Sequence, residues 1–348
     1  MKWERSLAAL LAVVLLGSGC TGKPQNALPT VAPADCLTVY TSHPEEIYAP
    51  LIEEFEDRTG IWVQVVAGKS GELLDRLDEE SAQPQADVMF GGGGDSLEDQ
   101  LDRFAAYRSP ECGAITNPAF CGTDHRWTGF SVLPLVLVYN PKLVSERDAP
   151  AAWKNLTDAK LTGRIAFSSP AISGSCYTAL ATMVQLYGEE FATQFARNLA
   201  GRCTEGSGEI ISLVADGTYS VGITLESTVQ KAIADGADVA YLYPEDGTSA
   251  VADGIAILEN APHRENAEQF VDFMLGRDAQ SFLCETIKRR PVRTDITIQG
   301  ESKLENLNLM DYNLARAARD KDALVTLWQQ EYNAGEVAAH EAAQTALF

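Results

Sequence analysis

Cations are scarce in this chain. Lys and Arg number 27 against 49 Asp and Glu, a formal net charge of −22 over 348 residues. Phosphate neutralisation needs basic patches, so the balance argues against a nucleic-acid binder and against a surface that clings to anionic lipid. Only four histidines are present, at no metal-ligand spacing. No two of the seven cysteines form a Cys-x-x-Cys pair, which disfavours a zinc ribbon or a thioredoxin-like site. There is no Gly-x-Ser-x-Gly elbow. Gly68-Lys69-Ser70 ends like a P-loop, but the required first glycine falls at Val63. His340-Glu341 is followed by Gln344 where a zinc protease needs its second histidine. Gly17 to Gly22 matches a dinucleotide glycine pattern only formally, because no strand precedes it. These absences leave no catalytic residue, no cofactor and no metal site to assign. The rest is ordinary globular composition, 45% hydrophobic and 22% charged, with no internal repeat.

The longest early apolar run, Leu7 to Leu16, is too short to span a bilayer and follows Lys2 and Arg5. It reads as the core of a signal peptide over residues 1–19. Gly17-Ser18-Gly19-Cys20 resembles a bacterial lipobox, which makes Cys20 a lipidation site, and residues 20–35 read as lipidated Cys and tether. The expected location is therefore extracytoplasmic, with membrane contact through a lipid anchor only. Removing Cys20 turns an odd cysteine count into six, enough for three disulfides outside the cytoplasm, in any of fifteen pairings.

Strand and helix signals alternate from residue 37 onward. Leu37 to Thr41 is a short β-type run. Ile47, Leu51, Ile52 and Phe55 then recur at helical spacing until Gly60. Ile61 to Ala67 reads as a buried strand, Gly71 to Ser81 as a helix, and Asp87 to Phe90 as a strand ended by four glycines. Asp95 is expected to cap a helix running to Phe104. Ser131 to Tyr139 is a long apolar strand interrupted by Pro134. Further strands are expected at 164–167, 219–224, 239–243 and 255–258, and helices at 175–187, 264–275, 278–285 and 314–332. This alternation implies α/β architecture with parallel strands and crossover helices.

Small polar residues recur where strands hand over to helices: Thr41-Ser42, Ser70-Gly71, Gly91 to Gly94 and Ser173-Gly174-Ser175. Such edges line the ligand crevice of open α/β sheets, and exposed N–H groups at helix starts bind anions. Each edge alone is as well explained by capping.

The order of several segments carries a family likeness. Val39-Tyr40-Thr41-Ser42, Phe55 to Ile61, Ser70-Gly71-Glu72-Leu73, Ala86-Asp87-Val88, Tyr139-Asn140-Pro141, Ser173-Gly174-Ser175, Tyr243-Pro244-Glu245-Asp246-Gly247-Thr248 and Arg289-Arg290-Pro291-Val292-Arg293 follow one another as they do in extracellular solute-binding proteins of ABC importers. The chain resembles the ferric-iron, phosphonate or sugar-phosphate subgroup. The resemblance implies a two-lobed type II periplasmic-binding-protein fold, each lobe a mostly parallel sheet flanked by helices, with two hinge crossings. Lobe one would comprise residues 36–135 plus 255–348, with the C-terminal helices packed on it, and lobe two residues 136–254. The implied disulfides lie within lobes: Cys36–Cys284, Cys112–Cys121 and Cys176–Cys203. The implied partners are a small-molecule solute, an ABC permease and its ATPase, with the receptor itself a monomer.

Iron-binding members of the family use adjacent tyrosines in lobe two, whereas the comparable stretch here, Val221 to Thr228, has none. Tyr241 and Tyr243 read as packing residues, and His43 and Glu72 as a cleft-edge histidine and a first-turn glutamate rather than metal ligands. The hydroxyls of Ser42, Ser70, Ser173, Ser175 and Thr224 and the N–H groups of Gly71 and Gly174 favour an oxyanion, so the expected solute is an organophosphate, sugar phosphate or phosphonate. Thr41, Gly91, Gly92 and Glu226 complete the candidate binding set. Glu226 reads either as an acceptor from the solute or as a salt-bridge partner, and Trp127 as a hinge-packing residue or a stacking platform. Ferric-ion capture is the alternative, and an exported enzyme the remote one.

Overall fold

A computed structural model describes residues 32–296 and 303–345. Cys20 and the signal segment lie outside these residues. Among the described residues no helix is long and apolar enough to cross a membrane.

The first lobe opens with β1 (Cys36–Thr41), α1 (Glu45–Thr59), β2 (Trp62–Ala67), α2 (Ser70–Glu79), β3 (Val88–Gly93) and α3 (Gly94–Asp99). Pro44 precedes α1 in extended conformation and Gly60 ends it at φ 74°, where a side chain would be strained. β2 is the sheet edge rather than a buried strand, with Trp62 49% exposed. α3 stops at Asp99, short of Phe104, and Asp95 lies inside its first turn, not at its cap. Its carboxylate accepts instead from Ser96 N, Thr178 Oγ1 and the Tyr312 hydroxyl. β4 (Thr128–Tyr139) carries the chain into the second lobe. There follow β5 (Ile165–Ala166), α4 (Gly174–Tyr187), α5 (Glu189–Asn198), α6 (Ile210–Ala215), β6 (Val221–Leu225), α7 (Glu226–Ala234) and β7 (Ala240–Leu242). β8 (Ala250–Ile257) returns to the first lobe, which is completed by α8 (Arg264–Leu275), α9 (Arg277–Glu285) and β9 (Arg290–Pro291). α10 (Leu314–Thr345) is last.

Strand order is β2-β1-β3-β8-β4-β6-β5, with β7 and β9 also paired to β4. β2, β1 and β3 are parallel, as are β5 and β6, while β8 and β4 run antiparallel to their neighbours. The sheet is thus mixed, because the strands that enter and leave the second lobe must run in opposite senses. Pro134 does not interrupt β4. It marks the point where Phe130 and Val132 belong to one apolar core and Leu135 to Tyr139 to the other. The first core holds Phe55, Phe90, Phe130 and Phe270 in edge-on contacts of 4.7 to 5.8 Å. Trp127 is buried there and donates to Glu98 Oε2 at 2.7 Å, so it packs the lobe and does not reach the cleft.

α8 and α9 pack on the first lobe, and α10 lies against both lobes: Leu314 packs on the first core and Lys321 faces Asp99 of α3 at 3.4 Å. Ala317, Leu324 and Trp328 of α10 join the second core, where Trp328 stacks on Tyr332 at 5.0 Å and meets Phe167. The Tyr177 hydroxyl donates to Ala317 O. Gly335 lets the helix approach α5 closely, for a Cβ there would sit 2.7 Å from Arg197 O. To reach this position the chain crosses between lobes a third time, over 304–312. Leu304 packs on the first core, Met310 N donates to Thr248 O at 3.0 Å, and Tyr312 packs on the second core.

Cys112 and Cys121 of the first lobe lie close enough to shift each other's acidity, Cys112 downward and Cys121 upward. Cys176, at the start of α4, and Cys203 are thiols of the second lobe close enough to interact electrostatically.

Two outcomes are expected. Trp328→Ala should cost about 3–5 kcal/mol in denaturant unfolding followed by circular dichroism, as for other buried tryptophans. A non-reducing peptide map of exported protein should contain Cys112–Cys121 and Cys176–Cys203 linked peptides, and finding only free thiols at these positions would refute the expected pairing.

Candidate functional site

The strand ends of both lobes face a cleft of about 680 Å³. From the first lobe come Ser42, His43 and Pro44 after β1, Gly68 to Ser70 after β2, and Gly92 and Gly93 at the end of β3. From the second come Ile172 to Ser175 before and within α4, the 205–209 loop, and Thr224, Leu225, Ser227 and Thr228 at the β6–α7 turn. Leu133, Leu135, Val251 and Asp253 of the hinge strands form the floor. Four helices, α1, α2, α4 and α7, therefore present their N-terminal ends to one space. Their aligned peptide dipoles and first-turn N–H groups make that space favourable to negative charge. Ser173 caps α4, accepting from Cys176 N at 3.4 Å, and lies 3.3 Å from Ser175 Oγ.

Seven of the expected binding residues line the cleft: Ser42, Ser70, Gly92, Ser173, Gly174, Ser175 and Thr224. Four do not. Thr41 is fully buried, and its hydroxyl accepts from His43 N at 3.1 Å, shaping the turn that presents Ser42. Gly91, at φ 117°, lies against Ser42, and a Cβ there would be 2.4 Å from Ser42 Oγ. Gly71 donates its N–H at 3.4 Å to Ile172 O of the opposite lobe. Glu226 is spent inside the protein. Arg290 clasps it in two-pronged fashion, Nε to Oε2 at 2.6 Å and Nη2 to Oε1 at 2.8 Å, and the Tyr243 hydroxyl donates to the same carboxylate. With both partners almost completely buried, Glu226 is the salt-bridge partner and not a solute acceptor. Tyr243 and Tyr241 stay outside the cleft wall, as does Glu72, which faces Lys69 at 3.4 Å.

Charged residues that local spacing does not reveal complete the site. Arg289 Nη1 donates to Asp253 Oδ2 at 2.8 Å at the floor, and lies 3.4 Å from Ser131 Oγ and 3.2 Å from His43 Nδ1. A guanidinium only donates, so His43 Nδ1 is the acceptor and the ring proton sits on Nε2, 3.4 Å from Asp253 Oδ2. Burial, reinforced by the Arg289 charge, holds His43 well below the usual imidazole range, so the ring is neutral. Burial pushes Asp253 up to about 6 despite the opposing Arg289 charge. At the rim, Lys69 of the first lobe leans over the 205–209 loop of the second, with its Cε 3.6 Å from where a Cβ on Gly206 would be. Lys231 of the second lobe feels Glu46 of the first and bonds Asp235 at 2.6 Å. The adjacent Arg289-Arg290 pair was the one sequence signal for the floor. Its carboxylate partners lie 36 and 64 positions away, on other elements.

The lobes touch beside the cleft. Gly174 N donates to Ser70 Oγ at 2.9 Å, and deeper in, Thr178 Oγ1 donates to Asp95 Oδ2 at 2.8 Å.

This two-lobed frame has counterparts. The family model described as bacterial extracellular solute-binding protein matches residues 100–316. The chain is 29% identical to iron uptake protein A1 of Synechocystis over 78% of its own length and 82% of the relative's. It is 26% identical to a putative 2-aminoethylphosphonate-binding periplasmic protein of Salmonella typhimurium, over 73% and 76% of the two chains. Its fold is similar to that of the periplasmic binding protein AfuA of Actinobacillus pleuropneumoniae with fructose 6-phosphate bound. The TM-score is 0.79 and the identity 27%, over 85% of this chain and 98% of that one. A cleft between two three-way-linked lobes, walled by strand ends and helix starts, thus comes with a family match over most of the chain, and the protein belongs to the bacterial extracellular solute-binding proteins, the solute-capturing components of ABC importers.

Proposed function

We propose that this protein captures a small organic anion, an organophosphate, sugar phosphate or phosphonate, by closing its lobes over it, and hands it to an ABC permease driven by its ATPase. The observation that carries this reading is the wall of the cleft. Hydroxyls of Ser42, Ser70, Ser173, Ser175 and Thr224 stand among four helix N-terminal ends, with Lys69 and Lys231 beside Glu46, Glu205 and Glu209 and no tyrosine among the described lining residues. Oriented N–H and hydroxyl donors hold an oxyanion through charge-assisted hydrogen bonds. A space of about 680 Å³ also suits an organic solute better than a single ion. The relatives named for aminoethylphosphonate and the fructose 6-phosphate complex of AfuA support the same class. Ferric-ion capture is the second reading, favoured by the likeness to iron uptake protein A1. The receptor is read as a monomer anchored through a lipid on Cys20, with lobe one built on residues 36–135 and the chain after 255, and lobe two on residues 136–254.

Thermal melting of the mature protein with fructose 6-phosphate, 2-aminoethylphosphonate and ferric citrate tests the choice. A probe at a hundred times its dissociation constant adds about 2.7 kcal/mol and raises the melt by several degrees. A shift with a phosphate or phosphonate is expected, and a shift with ferric citrate alone would overturn the reading. Ser42→Ala and Ser175→Ala, one from each lobe, should each weaken the bound probe by about 1–3 kcal/mol in titration calorimetry. Unchanged affinity in both would remove these hydroxyls from the site.

A further inference from the structure

Gly71 occupies the second position of α2 and faces the other lobe. A Cβ built on it would lie 2.3 Å from Ala171 O and 2.9 Å from Ile172 Cα, both backbone atoms across the gap. No side-chain rotation relieves such an overlap. At Gly174, by contrast, the nearest atom to a built Cβ is Ser70 Oγ at 2.9 Å, which can turn away. Gly71 sits inside a helix and is absent from the positive-φ glycines, so it is required for space and not for conformation.

We propose that Gly71 is the closure stop of this receptor: the missing Cβ sets how closely the two lobes approach, and so fixes the width of the closed cleft and the size of solute it encloses. Backbone meeting backbone gives a hard limit, because packed interiors hardly compress. A methyl group at position 71 would part the lobes locally by about an ångström, the difference between 2.3 Å and an ordinary contact of 3.4 Å. The two cross-lobe bonds beside it, Gly71 N to Ile172 O and Gly174 N to Ser70 Oγ, would stretch together. The inference concerns the contact between the lobes and holds whichever solute is bound. It also separates cleanly from a role of Gly71 as a donor to the solute. Alanine keeps the N–H, so a mere donor is indifferent to the change and a closure stop is not.

The test compares wild type, Gly71→Ala, Gly71→Ser and the control Gly113→Ala, whose added Cβ meets nothing within 4 Å. Hydrogen exchange by mass spectrometry and small-angle scattering are measured for each protein alone and with fructose 6-phosphate, 2-aminoethylphosphonate and ferric citrate. In the condition that most protects the 172–176 amides of wild type, both Gly71 variants should lose that protection and show a larger radius of gyration. Protection elsewhere and the melting temperature should stay close to wild type. Affinity for whichever probe wild type binds should fall at least tenfold, and Gly113→Ala should behave as wild type. Wild-type exchange and affinity in the Gly71 variants would overturn the proposal, as would wild-type 172–176 amides unprotected in every condition. Variants that fail to fold would also overturn it, since Gly71 would then serve its own lobe.

Discussion

Two buried guanidinium–carboxylate pairs, side by side, hold the site together. Arg289 and Arg290 are neighbours in sequence, and one turns to Asp253 at the cleft floor while the other turns to Glu226 at the start of α7. Consecutive residues of an extended segment point to opposite sides, which is why one short stretch can serve both. Taking four charged groups out of water is expensive, and only close, well-aligned pairing offsets the cost. The geometry is therefore over-determined. Asp253 fixes β8, Ser131 fixes β4, His43 fixes the entry to α1, and Glu226 fixes the β6–α7 turn. The β1–α1 entry, both hinge strands and the β6–α7 turn are thus tied to this double pair.

The pairing also settles the electrostatics of the cleft. The floor carries Arg289 and Asp253 in contact, so their charges largely cancel, and the neutral His43 beside them adds none. What is left for an incoming anion is the convergence of helix ends, with Lys69 and Lys231 set against Glu46, Glu205 and Glu209 among the charged lining side chains. The large negative charge of the whole chain has little bearing here, since exposed charges beyond about 8–10 Å are screened at physiological salt. The rim has its own order: Lys69 belongs to the first lobe and leans on the second, while Glu46 of the first lobe acts on Lys231 of the second. Opposite signs face each other across the gap, so closing is electrostatically favoured without help from the floor.

Most of the local structure was legible in the sequence. Periodicity gave α1 with its Gly60 stop, α8 to the residue, and most of β4 as a long apolar strand, while its crossing between lobes came from the family resemblance. The helix-start serines fell in the cleft because capping and anion binding use the same exposed N–H groups. What escaped were features decided by distant partners. Ile61 to Ala67 is β-branched and reads as interior, yet β2 is the terminal strand of the sheet and Trp62 stands half exposed. Trp328 anchors the middle of α10 on the second core because its ring fits against Phe167 and Tyr332, a match with no local signature. Glu226 could not be assigned from its surroundings in sequence, because the residue that neutralises it is 64 positions away. Gly71 reads as an anion-binding glycine from its neighbours and as a steric device only once Ala171 is seen opposite.

The third crossing bears on how this molecule moves. Two adjacent strands, β4 and β8, make a ribbon, and a ribbon twists as readily as it bends. The 304–312 segment runs beside Thr248 and ends in Tyr312, whose hydroxyl donates to Asp95 of the opposite lobe. The third link is bridged to Thr248, two residues before β8, and reaches Asp95 on the far side, so it braces the ribbon against twist. Bracing against twist favours a change in the angle between the lobes, the coordinate along which a cleft opens and shuts.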